Sequence, residues 1–516
     1  MSTLAPCLMI QGTSSGVGKS VLATAFCRLF ARAGYRVAPF KSQNMALNAG
    51  VTIDGGEIGR AQVAQAEAAG IEPTVDMNPI LLKPEADHRS QVVVRGVAVA
   101  TTEFREYRRL RPTLLPVVEE SLTRLRQAYD LVVIEGAGSP AEVNLRDGEI
   151  VNMSIARMAD ARVLLVGDID RGGVLAAFVG TMELVDTDDR ARVAGFIVNK
   201  FRGDASLLAP AFDFLTARTR VPVLGTVPYL AESLVPAEDS LALDEPVDAR
   251  GPAVVKVAVV RTPRISNFDD FEPLAREPGV RVRFARRPAD LAGADAIILP
   301  GSKSTVADLQ WLRANGVAET VRAVAQRGRT VIGICGGYQM LGLALEDPDR
   351  VESAAGTTAG LGLLPVTTTF SRTKATVRVK ARVADVGGPF GGASGDALSA
   401  YEIHAGVTRV GIVERPFVVV ERQGRAVTEP DGALSAQGNV AGTYLHGLFE
   451  NDALRQAFLG RLALLNGGTP DPRWGRTLSA SARYDRLADL VGDALDMPGI
   501  GKLVGLDYLR GNGRSS

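Results

Sequence analysis

The stretch Cys7-Leu-Met-Ile-Gln-Gly12-Thr13-Ser-Ser-Gly16-Val-Gly18-Lys19-Ser20, followed by Val21-Leu-Ala-Thr-Ala-Phe26, decides how this chain is read. A short apolar run reads as a buried strand, the glycines as a tight turn, and the residues after Ser20 as the start of a helix. A strand feeding a glycine-rich turn and a helix makes a phosphate cradle. Backbone N–H groups face the anion and the helix dipole favours negative charge. In that arrangement Lys19 is expected to reach the β- and γ-phosphates of a nucleotide and Ser20 to hold Mg²⁺. Gly12, Thr13, Gly16 and Gly18 supply the loop. The match departs from the usual spacing at one point: Thr13 stands where the first glycine is normally found, and Gly12 lies one residue earlier.

Apolar runs alternate with helical stretches from residue 7 to about 230. Strands are expected at Cys7 to Gln11, Arg36 to Phe40, Leu131 to Glu135, Val163 to Asp168, Val193 to Val198 and Val223 to Val227. Continuous apolar strands are those buried on both faces, so the fold class is α/β, a doubly wound and mostly parallel sheet. Carboxylates at the C-terminal ends of such strands point into the ligand crevice. Glu135 is the first candidate for Mg²⁺ and Asp54, before Gly55-Gly56, the second. Asp168 and Asp170 read equally well as turn and helix-cap residues. Lys41 is a further candidate phosphate contact.

The segment 236–253, rich in Asp, Glu, Pro and Ala, reads as a linker between a first domain (1–235) and a second (254–516). A new α/β series begins at Val257, and the pattern becomes β-rich from about 365 to 445, with expected strands at Val366 to Phe370 and Thr376 to Val383. The glycine-rich patch Gly387 to Gly395 reads as a surface loop, and helices are expected near 452–466 and 484–495. Within this half, Val331-Ile-Gly-Ile-Cys335-Gly336-Gly-Tyr-Gln339 is a strand, a sharp glycine-flanked turn and a helix start. This is the logic of a nucleophile elbow with cysteine at the apex. The helix N-terminus favours the thiolate and offers N–H groups to an oxyanion. A second oxyanion donor is expected from Leu299-Pro-Gly301-Ser302. Three histidines exist, and two, His404 and His446, end strand-like runs where a base could stand.

Lys plus Arg and Asp plus Glu both number 58, so the net charge is zero and no basic field recruits nucleic acid or an anionic membrane. No apolar run approaches the roughly 20 residues of a membrane span. Met1 to Pro6 leads straight into the first strand with no signal-peptide pattern. The three cysteines are far apart, which fits a reducing compartment, and a cytoplasmic location is expected. Oligomeric state stays open, a homo-oligomer included.

Gly333-Ile-Cys335-Gly-Gly-Tyr-Gln339 with the later His446 resembles the class I (triad) glutamine amidotransferases. The resemblance implies Cys335 as nucleophile, His446 rather than His404 as its base, oxyanion donors near Gly301 and Gly336, and Gln339 against the substrate glutamine. Those enzymes usually carry a glutamate two residues after the histidine. Leu448 is there instead, which leaves the third member open, with Glu450 a candidate. The Gly12 to Ser20 loop with Glu135-Gly-Ala-Gly resembles dethiobiotin synthetase. Pro39-Phe-Lys41-Ser-Gln-Asn-Met-Ala-Leu-Asn48, Gly55-Gly-Glu-Ile-Gly-Arg-Ala-Gln62, Asp76-Met-Asn-Pro79, Glu135-Gly-Ala-Gly-Ser-Pro-Ala-Glu142, Asp168-Ile-Asp-Arg-Gly-Gly173 and Asn199-Lys-Phe-Arg-Gly-Asp204 together resemble the cobalamin-pathway amidases, and among them the cobyric acid synthase family.

That resemblance implies a P-loop synthetase domain followed by a class I glutaminase domain, ATP and Mg²⁺ as cofactors, and Asn199 among the nucleotide contacts. It also implies L-glutamine and a corrinoid, adenosylcobyrinic acid a,c-diamide, as substrates, the latter amidated at its b, d, e and g carboxylates. Lys83, Arg89, Arg171 and Arg202 are cationic candidates for the corrinoid. Two other readings remain: a cobyrinic acid a,c-diamide synthase, and a partitioning-type ATPase switch whose glutaminase-like domain does no chemistry.

Overall fold

The computed structural model describes residues 4–86, 88–146, 148–230, 234–236, 253–354 and 356–508. Most of the expected linker, 237–252, lies outside the described residues. The six strands expected in the first half form one sheet in the order Val223–Pro228, Val193–Phe201, Arg162–Asp168, Cys7–Gly12, Leu131–Glu135, Val37–Phe40. Every ladder in it is parallel. From the central Cys7–Gly12 strand the chain winds outward to Val37–Phe40 on one side. It returns through Leu131–Glu135 and then builds outward on the other side. The change of direction leaves a crevice at the C-terminal ends of the central strands, where doubly wound sheets bind ligands. The phosphate loop and Glu135 both open into it.

The segment between Val37–Phe40 and Leu131–Glu135 holds more than connecting helices. It carries a four-stranded sheet ordered Gln43–Met45, Ile80–Ala86, Arg89–Val94, Val97–Glu103, and a hairpin of Ala49–Val51 with Glu57–Gly59. The helix Arg60–Ala69 follows the hairpin, and the helix Phe104–Ala128 leads back to the main sheet.

The second half has its own sheet, ordered Val280–Ala285, Val255–Val260, Ala296–Leu299, Thr330–Ile334, Val440–Thr443, Ala433–Leu434, parallel except for the last strand. Beside it stands a mostly antiparallel sheet built on two long strands, Val366–Val383 and Ala397–Val410. The expected strands at 366–370 and 376–383 are one continuous strand, bent by a register shift between Thr369 and Lys374. The glycine-rich patch at 387–395 is anchored rather than loose, because Phe390 and Ala393 are buried in the core with Phe417 and Phe458.

The closing helices divide. Asp452–Leu465 packs in the second core, with Phe458 and Leu462 among Val257, Ile298 and Phe449. Ala480–Ala494 and Met497–Leu503 return to the first half: Tyr484, Leu487, Val491, Leu495 and Ile500 are buried with Leu8, Ile10, Leu22 and Phe26. Arg28 fixes the return with a two-pronged ion pair to Asp485, at 2.8 Å for each bond. The expected second domain of 254–516 therefore gives up its last segment, which covers apolar helix surface that the first domain alone would expose to water. No described helix is long and apolar enough to cross a membrane. Truncating Leu487 to alanine is expected to cost about 2–5 kcal/mol, read as an earlier urea-unfolding midpoint of the nucleotide-binding half.

Candidate active sites

At the phosphate loop, positive φ at Gly16 and Gly18, 73° and 101°, lets the chain double back before the helix Lys19–Arg32. The turn is too close for side chains at two positions. A Cβ on Gly12 would lie 2.6 Å from Val17 Cγ2 and 3.1 Å from Lys19 Nζ; one on Gly18 would lie 2.1 Å from Asn199 Nδ2. The Thr13 amide donates to the Val166 carbonyl and pins the loop to the neighbouring strand. Lys19 is nearly buried and donates to the carbonyls of Ser14 and Gly138, each at 3.0 Å. It thus stretches across the mouth of the cradle.

Glu135 is buried at the end of its strand and takes three donors. The Ser20 hydroxyl lies 2.8 Å from Oε1, the Lys41 ammonium 2.9 Å from the same oxygen, and the Gln65 amide 2.6 Å from Oε2. A hydroxyl and a carboxylate in contact beside a lysine-bearing anion loop are the hard oxygen donors that Mg²⁺ with a triphosphate needs. These residues fit that group. Lys41 is brought to the site as a partner of Glu135. Asn199 instead shapes the loop, donating to the Val17 carbonyl at 2.7 Å.

Asp54 is not brought to this pair. It sits exposed in the turn of the Ala49–Val51 hairpin and accepts from Thr52, and the next residue, Gly55, lies against Thr376 and Gln423 of the second domain. The hairpin register turns Asp54 outward, which its place before two glycines did not reveal. Asp168 accepts from Lys200 at 2.9 Å and from the Asp170 amide, a turn role. Among the cationic candidates, Lys83 is buried and paired with Glu57, where burial pushes its ammonium down to about 8. Arg89 and Arg171 are exposed, and Arg202 lies over the Tyr229 ring at 3.4 Å.

In the second half, Cys335 ends the strand Thr330–Ile334 with φ 52° and ψ −109°, a strained apex for a residue with a side chain. The glycines around it make the elbow. A Cβ on Gly337 would lie 2.0 Å from the Leu299 carbonyl oxygen, and one on Gly333 2.7 Å from the Gly337 backbone. The Gly301-Ser302 strand, held by Ile265-Ser266, closes on the same point. A Cβ on Gly336 would be 2.8 Å from the Ser302 amide nitrogen, and one on Gly301 3.1 Å from His446 Cε1. Cys335, Gly336, Gly301 and His446 therefore converge. Gln339 is tied into the protein: it donates to the Ala405 carbonyl and the Tyr444 hydroxyl, each at 3.1 Å, and accepts from Thr305.

The Cys335 thiol donates to the Ile403 carbonyl at 3.3 Å. Burial works against a charge on the His446 ring, but the charge and hydrogen bond of Asp270 outweigh it, and with the Cys335 thiol they lift the imidazole to about 10. Burial pushes the Cys7 thiol up to about 12. Cys27 moves in the same direction for the same reason. His404 lies elsewhere, stacked on Tyr444 with centroids 3.7 Å apart and 3.4 Å from Glu402.

The residue missing from the sequence reading is Asp270. Its Oδ2 lies 2.7 Å from His446 Nδ1 and its Oδ1 accepts from the Gly447 amide at 2.9 Å. Glu450 is exposed and Leu448 is core. The carboxylate thus comes from a turn 176 residues upstream, Phe268–Phe271, rather than from the loop after the histidine. A signal was present: two adjacent acids, Asp269-Asp270, enclosed by Phe268 and Phe271. Acids placed among aromatics are desolvated and need partners.

Residues 8–241 match the CobQ/CobB/MinD/ParA nucleotide binding domain, and residues 256–454 the CobB/CobQ-like glutamine amidotransferase domain. The cobyric acid synthase of Sorangium cellulosum (strain So ce56) is 54% identical over 515 residues, which cover 97% of this chain and 99% of the relative. That of Dehalococcoides mccartyi (strain CBDB1) is 51% identical over 494 residues, 96% of this chain and 98% of the relative. That of Moorella thermoacetica (strain ATCC 39073 / JCM 9320) is 49% identical over 508 residues, 98% of each. A nucleotide-binding domain and a cysteine amidotransferase domain in one chain define an ATP-dependent, glutamine-hydrolysing amide ligase. Over nearly its whole length the chain belongs to the cobyric acid synthase family.

Replacing Asp270 by asparagine keeps the shape but removes the charge that lifts His446. Glutaminase kcat is expected to fall about 10²-fold or more. The alkaline limb of kcat/KM for glutamine, where the imidazolium is lost, is expected to move to lower pH, since a raised pKa falls back when its anion is removed. A pH–rate profile of glutamate release checks both.

Proposed function

We propose that this chain converts adenosylcobyrinic acid a,c-diamide to adenosylcobyric acid in cobalamin biosynthesis, amidating the b, d, e and g carboxylates with one ATP and one glutamine for each. The reading rests on membership of the cobyric acid synthase family along nearly the whole chain. The cytoplasm suits a soluble substrate and free thiols.

A carboxylate does not yield to ammonia directly, because an oxide equivalent is a poor leaving group. In the first domain a carboxylate oxygen attacks the γ-phosphorus of ATP, the β–γ bond breaks, ADP leaves and an acyl phosphate remains. Lys19 and the amides of the Gly12–Ser20 loop hold the charge on the transferring phosphoryl group. Ser20 and Glu135 would hold Mg²⁺, which would supply charge neutralisation to the phosphates. Ammonia attacks the acyl carbon and phosphate leaves with the C–O electron pair, giving the amide. Lys41, with Ser20 and Gln65, holds the Glu135 carboxylate in place in a buried setting.

Ammonia comes from the second domain. Cys335 Sγ attacks the side-chain amide carbon of glutamine while N–H groups near Gly301 and Gly336 receive the oxyanion. His446, already carrying the thiol proton as imidazolium in the ion pair with Cys335, passes it to the departing nitrogen, so ammonia leaves neutral. Asp270 holds the ring by Nδ1–H and stabilises the imidazolium. Water then cleaves the thioester and frees glutamate.

Lys19→Ala is expected to abolish amide formation from glutamine and from ammonium salts alike, whereas Cys335→Ala loses only the glutamine-dependent reaction. Product mass after incubation with ATP, Mg²⁺, glutamine and the a,c-diamide checks the substrate: successive hydroxyl-to-amino replacements are expected. Turnover of cobyrinic acid but not of its diamide would point to the a,c-diamide synthase instead. Release of ammonia from glutamine by the intact chain, lost in Cys335→Ala, would reject the partitioning-type switch.

A further inference from the structure

The Phe268–Phe271 turn presents two buried carboxylates one residue apart, and they face different domains. Asp270 bonds to His446. Asp269 bonds to Arg60, which starts the first-domain helix Arg60–Ala69, at 2.9 Å between Oδ2 and Nε. Both members of that pair are shielded, with side-chain exposures of 16% for Arg60 and 8% for Asp269. Burial, with the adjacent Asp270 charge, pushes Asp269 up to about 7, and Arg60 pulls the other way. Its second oxygen, Oδ1, has no hydrogen-bond partner among the described residues.

The rest of the turn is also held from the first domain. The Phe268 amide donates to Asn48 Oδ1 at 3.2 Å, and Asn267 Nδ2 donates to the Ala49 carbonyl at 2.7 Å and to the Tyr401 hydroxyl at 2.8 Å. Tyr401 in turn stacks on the His446 ring with centroids 5.2 Å apart and planes 15° apart. The Arg60 amide closes the circle on the Asn48 carbonyl. Asn48 and Arg60 lie in the long first-domain motifs that the phosphate site leaves unexplained.

We propose that Arg60 of the synthetase domain is a positioning residue of the glutaminase: through Asp269 it fixes the turn that aims Asp270 at His446. This rests on the reading of Cys335, His446 and Asp270 as the glutaminase site. A guanidinium compensates the buried Asp269 charge; without it the carboxylate takes a proton or draws water into the turn. Either change moves the neighbouring Asp270. A displacement of about 1 Å in such a site costs on the order of a hundredfold in rate. The glutaminase base is thus complete only when the two domains are docked.

The test uses the full-length chain with Arg60→Gln, Arg60→Lys and Asp269→Asn, and Cys335→Ala alongside. Glutamate release gives kcat and KM for glutamine, ammonium-supported synthesis reports the first domain, and iodoacetamide alkylation reports thiol reactivity. For Arg60→Gln and Asp269→Asn, kcat is expected to fall about tenfold to a hundredfold with a smaller change in KM. Alkylation of Cys335 is expected to change in the same variants, ammonium-supported synthesis to persist, and Arg60→Lys to recover most of the loss. Should Arg60→Gln fail to fold, Asp269→Asn carries the comparison. Unchanged glutaminase kcat, equal loss from both nitrogen sources, or a lysine variant as poor as the glutamine one overturns the inference. Glutamate release undiminished in Cys335→Ala overturns the underlying reading of the site instead.

Discussion

Two negative charges cannot be buried side by side without cations, and that constraint organises the junction of this molecule. Asp269 and Asp270 lie in one turn, each desolvated, and each meets a positive group from a different direction. His446 answers one from within its own domain and Arg60 answers the other from across the seam. Removing one partner of a buried pair leaves an uncompensated charge, at a cost of roughly 3–5 kcal/mol. The turn therefore prefers the docked arrangement, and docking and the geometry of the histidine become one problem.

The remainder of the seam repeats the pattern with other residues. Against the upward pull of burial, Lys374 from the second domain and Lys83 from the first hold Glu57 low between them. Lys303, next to the Gly301-Ser302 strand, pairs with Glu85 at 2.7 Å. Between these polar contacts lies a dry patch: Ala46, Ala49, Val51, Leu81 and Val93 surround Ile403, whose carbonyl takes the Cys335 thiol hydrogen. One residue of the long Ala397–Val410 strand thus touches the thiol with its backbone and the other domain with its side chain. The segment inserted at 43–103, with its small sheet, hairpin and the helix Arg60–Ala69, supplies these first-domain partners. The insertion serves as the docking face.

How much of this could be read in advance follows from burial. Most strands of the two main sheets were legible because both faces are covered and the sequence is apolar without interruption, as in Leu131 to Glu135 and Val163 to Asp168, whereas the two-residue edge strand Ala433–Leu434 was not expected. The phosphate loop and the cysteine elbow were legible because turns of that tightness admit only glycine at set positions. The insertion was not legible: strands of three residues such as Gln43–Met45 and Ala49–Val51 show no period, and their side chains face a partner domain rather than a core. Asp54 misled for the same reason, since nothing local says which way a hairpin turn faces. Asp270 escaped because the expected carboxylate was sought next to His446, and proximity along the chain says little about a contact made across a sheet.

The helix Arg60–Ala69 is where the two chemistries come nearest to sharing a part. Arg60 at its start reaches Asp269, and Gln65, five residues on, reaches Glu135 beside the phosphate loop. At the α-helical rise these positions are roughly 7.5 Å apart along the axis. A buried helix of ten residues, packed on Lys19–Arg32 on one side, has little freedom to bend between them. Each end has its own anchor, Arg60 on Asp269 and Gln65 on a Glu135 that Ser20 and Lys41 also hold, so loss of the first leaves the second in place. Glutamine hydrolysis without an acceptor wastes nitrogen, and acyl phosphate without ammonia is lost to water. A rigid element bonded to the acid of one site and to the turn of the other holds the two sites at a fixed spacing.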